Sequence, residues 1–237
     1  MLIAVLDAGF VGGKTVGIND GLDTIITRNF VEGGSNVYQG SSHGFSVLST
    51  MAAYQPEVFI GTAPQASYVL IKTEKELSET PEEMMNWIAG AEFADSIGAD
   101  IINSSLGYST FDDPNDDYSV SDLDGRTSII SLGALAAART GMLVVTSAGN
   151  AGGSSWDKLT FPADADSILT VGSVTQYGVA SSFSSRGYTV DGRVKPNVCA
   201  RGEGAAVYRS DGTLAYANGT SFSSPIMAGA AACLWST

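Results

Sequence analysis

The chain of 237 residues contains a single histidine, His43, and its context determines what chemistry it could perform. A lone histidine is more often structural than catalytic. Here, however, Asp7 ends a strand-like apolar run, and Ser221 stands at the start of an alanine-rich, helix-like segment. Nucleophilic catalysis by serine needs a base for the hydroxyl proton and an acidic group that orients the base. Asp7, His43 and Ser221 therefore form a candidate catalytic set.

The stretch "LIAVLDAGFVGGKT" around Asp7 also allows a second interpretation, a phosphate-binding loop over Ala8–Thr15. Its end, Gly-Lys-Thr, matches the end of a Walker A loop. Such a loop must lead into a helix, whereas the next residues, "VGINDGLDTI", contain two glycines and a turn signal. The loop also begins with Ala8 where the motif has glycine. Nucleotide binding is thus a distant alternative, and Lys14 is interpreted as an exposed loop residue.

The segment "GSSHG" at 40–44 fits the G-x-S-x-G nucleophile elbow. That elbow lies between a buried strand and a helix, and its histidine partner comes later in the chain. The chain's one histidine is adjacent to Ser42. Ser42 is therefore rejected as the nucleophile.

Short apolar, β-branched runs alternate with helix-like stretches along the chain. This alternation predicts an α/β fold with a mainly parallel central sheet. The apolar runs are continuous, which is typical of strands buried on both faces by helices. Strands are predicted at 2–6, 68–72, 100–103, 142–146 and 168–172, and helices at 45–54, 82–97 and 127–140.

Polar residues follow several of these apolar runs. In open parallel sheets ligands bind beyond the carboxyl ends of the strands. We therefore expect a site that includes Asp7, Ser104 and Ser105, and the segment from Ser147 to Asn150. The segment "NGTSFSSPIMAGAAACLWS" from Asn218 is predicted to be a buried helix with Ser221 near its amino end.

Composition favours one globular domain over 1–237 and excludes some partners. The sequence is 44% hydrophobic, and its net charge of −13 would repel phosphate backbones and anionic membranes. No apolar run approaches the ~20 residues of a membrane span. We therefore expect neither nucleic acid nor membrane as a partner.

Two further features are weaker signals. Cys199 and Cys233 could form a disulfide or remain thiols. Cysteine is a common core residue and neither one lies in a metal-binding pattern, so two free, buried thiols are the favoured interpretation.

The acidic stretch "STFDDPNDDYSVSDLDGRT" could bind calcium, but the spacing of its aspartates matches no EF-hand loop. A solvated acidic loop is therefore the favoured interpretation.

Four motifs in one order resemble the subtilisin-like serine proteases, the subtilase family. They are "VLDAGF" around the aspartate, "HGFSVLSTMAA" at the histidine, "VVTSAGNAGG" around an asparagine, and "GTSFSSPIMAG" at the serine. Together they cover nearly the whole chain, and the acidic insertions resemble a bacterial, secreted branch. The resemblance implies a three-layer α/β fold.

The resemblance also implies roles for individual residues in a serine endopeptidase. Asp7 would orient the imidazole, His43 would act as general base and then acid, Ser221 would be the nucleophile, and Asn150 would donate to the oxyanion. The residues expected to bind an extended peptide are Ser104, Ser105, Leu106, Gly107, Ser147, Ala148, Gly149 and Thr220.

By the same resemblance, polypeptides are the expected substrates and no cofactor or catalytic metal is required. A structural calcium ion and a propeptide outside this chain are compatible with it. The implied location is secreted or in the cell envelope, although the chain shows no signal peptide.

Some positions depart from the family's motifs. Ala8 replaces a usual Ser or Thr, Phe45 adds bulk beside the histidine, and Phe222 stands where methionine is common. Family domains usually extend further at both ends, so the chain is expected to lack terminal segments of the full domain. A weakly active or inactive peptide-binding domain is therefore the main alternative.

Overall fold

The computed structural model describes residues 1–13 and 25–236. Within these residues, a seven-stranded sheet has the order β11-β8-β7-β6-β1-β5-β2, and each neighbouring pair of strands is parallel. The strands are β1 (Leu2–Asp7), β2 (Ile25–Asn29), β3 (Tyr54–Gln55), β4 (Phe59–Ile60), β5 (Ser67–Lys72), β6 (Ile101–Ser104), β7 (Leu143–Ser147), β8 (Leu169–Val174), β9 (Gly187–Tyr188), β10 (Val194–Lys195), β11 (Val198–Arg201), β12 (Ala205–Tyr208) and β13 (Leu214–Ala217). The helices are α1 (His43–Ala52), α2 (Pro81–Ser96), α3 (Ile129–Arg139) and α4 (Thr220–Trp235), with 3₁₀ turns at Pro114–Asp116 and Val120–Asp122.

The helices form a layer on each face of the sheet. α1 packs with α4 on one face, and α2 packs with α3 on the other. Alternate residues of β1 enter the two cores: Ala4 and Leu6 pack in the α2–α3 core, and Ile3 and Val5 in the α1–α4 core. Burial on both faces explains why the strand sequence is apolar without alternation. The predicted three-layer α/β fold is confirmed.

The predicted strands and helices agree with the structure to within about two residues. Outside the seven-stranded sheet, the prediction missed the short paired strands β3, β4, β9, β10, β12 and β13. Within that sheet, it missed β2 and β11, the two edge strands. Their sequences, "IITRN" and "VCAR", include charged residues because an edge strand is covered incompletely and can expose side chains to water. Continuous apolar runs therefore identified the central strands of the sheet but not its edge strands.

The cysteine prediction was correct for pairing and wrong for burial. Cys199 and Cys233 are both free, but both are exposed. Cys199 lies on the edge strand β11, and Cys233 lies near the end of α4, where the layers no longer cover every side chain.

The acidic stretch at 109–127 uses its aspartates to form turns. Asp117 accepts a hydrogen bond from the backbone N–H of Phe111, and Asp122 accepts one from Ser119. Among the residues that the structure describes, no group of three or more His, Cys, Asp or Glu side chains is arranged to hold a metal ion. None of the described helices combines the length and apolar character needed to cross a membrane.

Candidate active site

Asp7 is the last residue of β1, the strand between β5 and β6. Its side chain is fully buried at the carboxyl edge of the sheet. Its Oδ1 atom accepts a hydrogen bond of 2.8 Å from the backbone N–H of Ala8. This backbone hydrogen bond holds the carboxylate in place independently of any contact with another side chain.

His43 is the first residue of α1, and its ring meets Asp7. The Nδ1 atom lies 2.9 Å from Oδ1 of Asp7 and 3.0 Å from Oδ2. This close approach depends on Gly44, because a Cβ atom there would lie 2.6 Å from the carbonyl oxygen of Gly9 and 2.8 Å from the Cβ of Asp7. A glycine after the histidine thus allows α1 to begin against the end of β1.

The carboxylate of Asp7 controls the protonation of His43. Its negative charge is the main cause that raises the pKa of His43 above the ordinary 6.5, against partial burial of the ring, which lowers it. In the neutral ring, a carboxylate beside Nδ1 favours the tautomer with the proton on Nδ1. The Nε2 atom is then free to accept a proton.

Ser221 is the second residue of α4 and is 8% exposed. Its Oγ donates to the carbonyl oxygen of Ser105 at 3.3 Å, and its own carbonyl accepts from Oγ of Ser105 at 2.8 Å. The neighbouring Phe222 ring lies 6.0 Å, between centroids, from the His43 ring. The start of α4 is thus brought to the histidine, although the hydroxyl donates to Ser105 in this conformation.

Asn150 follows β7 and contacts the same end of α4. Its Oδ1 accepts hydrogen bonds from the backbone N–H and the hydroxyl of Thr220, at 2.9 and 3.0 Å. Because a backbone N–H can only donate, the accepting atom must be the amide oxygen. Among described residues, none accepts a hydrogen bond from Nδ2, which is therefore available as a donor beside Ser221.

The predicted peptide-binding residues at 104–107 have different environments. Ser104 is fully buried, and its Oγ accepts from Nε1 of Trp87 at 2.9 Å, so its side chain faces the α2–α3 core. Ser105 supports Ser221, as described above. Leu106 and Gly107 line a cavity together with His43.

The residues at 147–149 adjoin this segment. Oγ of Ser147 donates to the carbonyl of Leu106 at 3.4 Å. Gly149 has φ +101, and a Cβ there would lie 2.6 Å from Oγ1 of Thr160. Ala148 is fully buried. The two predicted peptide-binding segments, 104–107 and 147–149, are therefore adjacent, and Thr160 packs against both Gly107 and Gly149.

Sequence reasoning missed two groups near the site. Beneath Ser221, Oγ of Ser224 donates to Oδ1 of Asn103 at 2.8 Å, and Nδ2 of Asn103 donates to Oγ of Ser105 at 3.3 Å. The other group is Glu74, which lines the cavity beside His43. Asn103 within an apolar strand was a detectable signal, since a polar residue there requires a partner.

Two alternative sites have different outcomes. Lys14 and Thr15 of the nucleotide-loop hypothesis lie outside the described residues, so that part of it stays untested. Ser42 of the elbow hypothesis is exposed and precedes α1 without a strand before it. The elbow geometry is therefore absent at 40–44.

A parallel α/β sheet with an Asp–His pair at its carboxyl edge, next to a serine at a helix start, is the architecture of a class of Asp–His–Ser peptidases. The chain belongs to the subtilase family, whose profile matches residues 1–237.

Relatives and solved structures agree with this membership. Subtilisin E of Bacillus subtilis (strain 168) is 33% identical over 246 aligned positions, which cover 98% of this chain and 58% of the relative. The chain thus spans little more than half the length of that relative. A subtilisin of Bacillus pumilus is 32% identical, with 98% and 81% covered. The self-cleaved protease domain of PatA has a TM-score of 0.75 at 25% identity, with 99% and 79% covered.

Proposed function

We propose that this chain is the catalytic domain of a serine endopeptidase that acts on polypeptides. The observation that carries the proposal is the buried Asp7 carboxylate 2.9–3.0 Å from Nδ1 of His43, on the only histidine in the chain. This pair is the orienting half of a triad, and Ser221 is the second residue of the helix whose Phe222 contacts His43. By family membership, a secreted or cell-envelope location accompanies this function.

The reaction begins with the Ser221 hydroxyl. A rotation about its Cα–Cβ bond redirects Oγ from Ser105 towards Nε2 of His43, which takes the proton as Oγ attacks the scissile carbonyl carbon. Hydrogen bonds between nucleophile and base are often long in the free enzyme and tighten with substrate. The imidazolium that forms is stabilised by the adjacent Asp7 carboxylate.

The developing oxyanion needs donors that are already in place. Nδ2 of Asn150 is one, and the backbone N–H of Ser221, at the positive end of α4, is the other. His43 then gives its proton to the leaving amine, and an acyl-enzyme remains on Ser221. Water, deprotonated by His43, hydrolyses the ester and restores the serine.

A peptide-binding domain without catalysis is the second candidate, and the Ser221–Ser105 hydrogen bond favours it. A serine-reactive fluorophosphonate separates the two. Mass mapping should place the adduct on Ser221, and Ser221→Ala should abolish it. No labelling, or labelling that persists in Ser221→Ala, would refute the endopeptidase assignment. Ser42→Ala is the matched control, because Ser42 is an exposed serine beside the same histidine.

A further inference from the structure

A cavity of about 290 Å³ opens beside His43. One side is formed by the ends of β1 and α1 and the opposite side by Leu106, Gly107 and Tyr108. The remaining wall is the loop after β5, which contributes Glu74, Lys75, Glu76 and Glu79. Three carboxylates therefore line a space that adjoins the proposed reaction centre.

Glu74 is the innermost of these carboxylates, with only 6% of the residue exposed. Its Oε1 accepts two hydrogen bonds, from the Thr73 hydroxyl at 2.7 Å and the Tyr108 hydroxyl at 2.6 Å. Its Oε2 accepts none from any described residue. One oxygen of this buried carboxylate is therefore held by two hydroxyl groups, whereas the other has no hydrogen-bond donor among the described residues.

The positive charge of the loop does not neutralise this wall. Nζ of Lys75 is 2.7 Å from Oε2 of Glu82, on α2. The side chains of Glu76 and Glu79 make no hydrogen bond with a described residue. Both oxygens of the nearby Glu83 accept backbone N–H groups, from Lys75 and Thr80, which fixes the loop.

The buried surroundings of these side chains disfavour ionised carboxylates. Burial, with further contributions from neighbouring acids, raises the pKa of Glu74 to about 8 and that of Glu79 to about 7. A cation in the cavity would stabilise the ionised forms and lower both pKa values. The wall is therefore complementary to a positively charged group, and no Lys or Arg side chain of the described residues forms an ion pair with Glu74 or Glu79.

We propose that this cavity receives a lysine or arginine side chain of the bound peptide, whose cationic end lies against Glu74 and Glu79. The proposal rests on the proposed function, because the peptide is the substrate of the adjoining site. It makes the peptidase selective for peptides with a basic residue close to the scissile bond, on a chain that is itself strongly acidic.

The preference should depend on pH. As pH rises through about 7 and about 8, Glu79 and Glu74 ionise and attract the cation more strongly. His43, whose pKa Asp7 raises above the ordinary 6.5, also titrates, but its effect is common to all peptides and cancels in a ratio of two substrates. The other groups that face the cavity or act on these carboxylates are Lys75, Glu76, Glu83, Tyr108, Asp112 and His43.

The test compares fluorogenic peptides that differ only by Lys or Gln at each of the positions on the amino side of the scissile bond. At one position the kcat/KM ratio for Lys over Gln should be about tenfold or more near pH 8 and smaller near pH 6. Glu79→Gln and Glu74→Gln should each reduce it severalfold. Glu92→Gln, an equal charge change on the exposed surface of α2, should not.

A ratio near one at every position, or a ratio that Glu79→Gln and Glu74→Gln leave intact, overturns the inference. If fluorophosphonate labels Ser221 while no basic preference appears, the inference fails and the endopeptidase assignment stands. If Ser221 is not labelled, calorimetric binding of the Lys and Gln peptides to the chain replaces kinetics. Tighter binding of the Lys peptide that depends on Glu79 then supports the cavity, and equal binding refutes it.

Discussion

Replacing Asp7 by asparagine should reverse the tautomer of His43. The carboxylate presents both oxygens to Nδ1, at 2.9 and 3.0 Å, and Oδ1 also accepts the Ala8 N–H at 2.8 Å. In Asp7→Asn the amide oxygen keeps the Ala8 bond, so the NH₂ group faces Nδ1. Nδ1 must then accept, and the proton of the neutral ring moves to Nε2, where it blocks transfer from Ser221.

The expected cost lies in the chemical step. Loss of the orienting carboxylate lowers kcat by about 10⁴-fold, equivalent to ~5.4 kcal/mol of activation free energy. KM should change much less, because Asp7 is fully buried and cannot touch substrate. The pKa of His43 should fall, since the Asp7 charge is the main cause of its elevation.

Because the chain has a single histidine, both effects of Asp7→Asn can be measured directly. Steady-state kinetics give kcat and KM, and an NMR titration of the one imidazole gives its pKa without assignment ambiguity. Asp95→Asn, on the exposed surface of α2, controls for charge. A kcat loss below about tenfold in Asp7→Asn, or an unchanged His43 pKa, would show that Asp7 does not orient the base.

Three further predictions follow from the same geometry. Asn150→Ala should lower kcat by about 10²–10³ with little change in KM, a range taken from one such donor in a subtilisin; a KM effect alone would contradict the oxyanion role. Gly44→Ala should lower the free energy of unfolding in urea by about 1–3 kcal/mol and should also lower kcat, because the new Cβ has no space between Gly9 and Asp7. An unchanged free energy of unfolding together with an unchanged kcat would refute this packing. Folding raises the pKa of Glu74 from 4.5 to about 8, so the folded protein binds this proton more tightly than the unfolded chain does. The stabilisation that results is fully present below about pH 4.5 and is lost as pH rises through about 8. The free energy of unfolding of Glu74→Gln, measured relative to that of the parent protein, should therefore rise between about pH 4.5 and about pH 8. A difference between the two proteins that does not change with pH would contradict this prediction.

The sequence by itself determined the central strands and the order of the chemical groups. Continuous apolar runs identify β1, β5, β6, β7 and β8, because a strand between two helical layers has no solvent-facing side. The strand-end rule then placed Asp7 and Asn150 at one edge of the sheet. His43 was predicted as the single histidine and Ser221 as a serine at the start of a helix, and both assignments were strengthened by the motifs around them.

Contacts between distant segments were decided by the tertiary structure alone. Ser104 and Ser105 are adjacent and identical in type, yet one accepts from Trp87 and the other supports Ser221, because successive residues at a strand end point to opposite faces. Glu74 resembles any loop glutamate in sequence. Its burial arises only where Tyr108, 34 residues later, closes over it. Burial and partnership depend on which segments meet in space, and local sequence does not encode that.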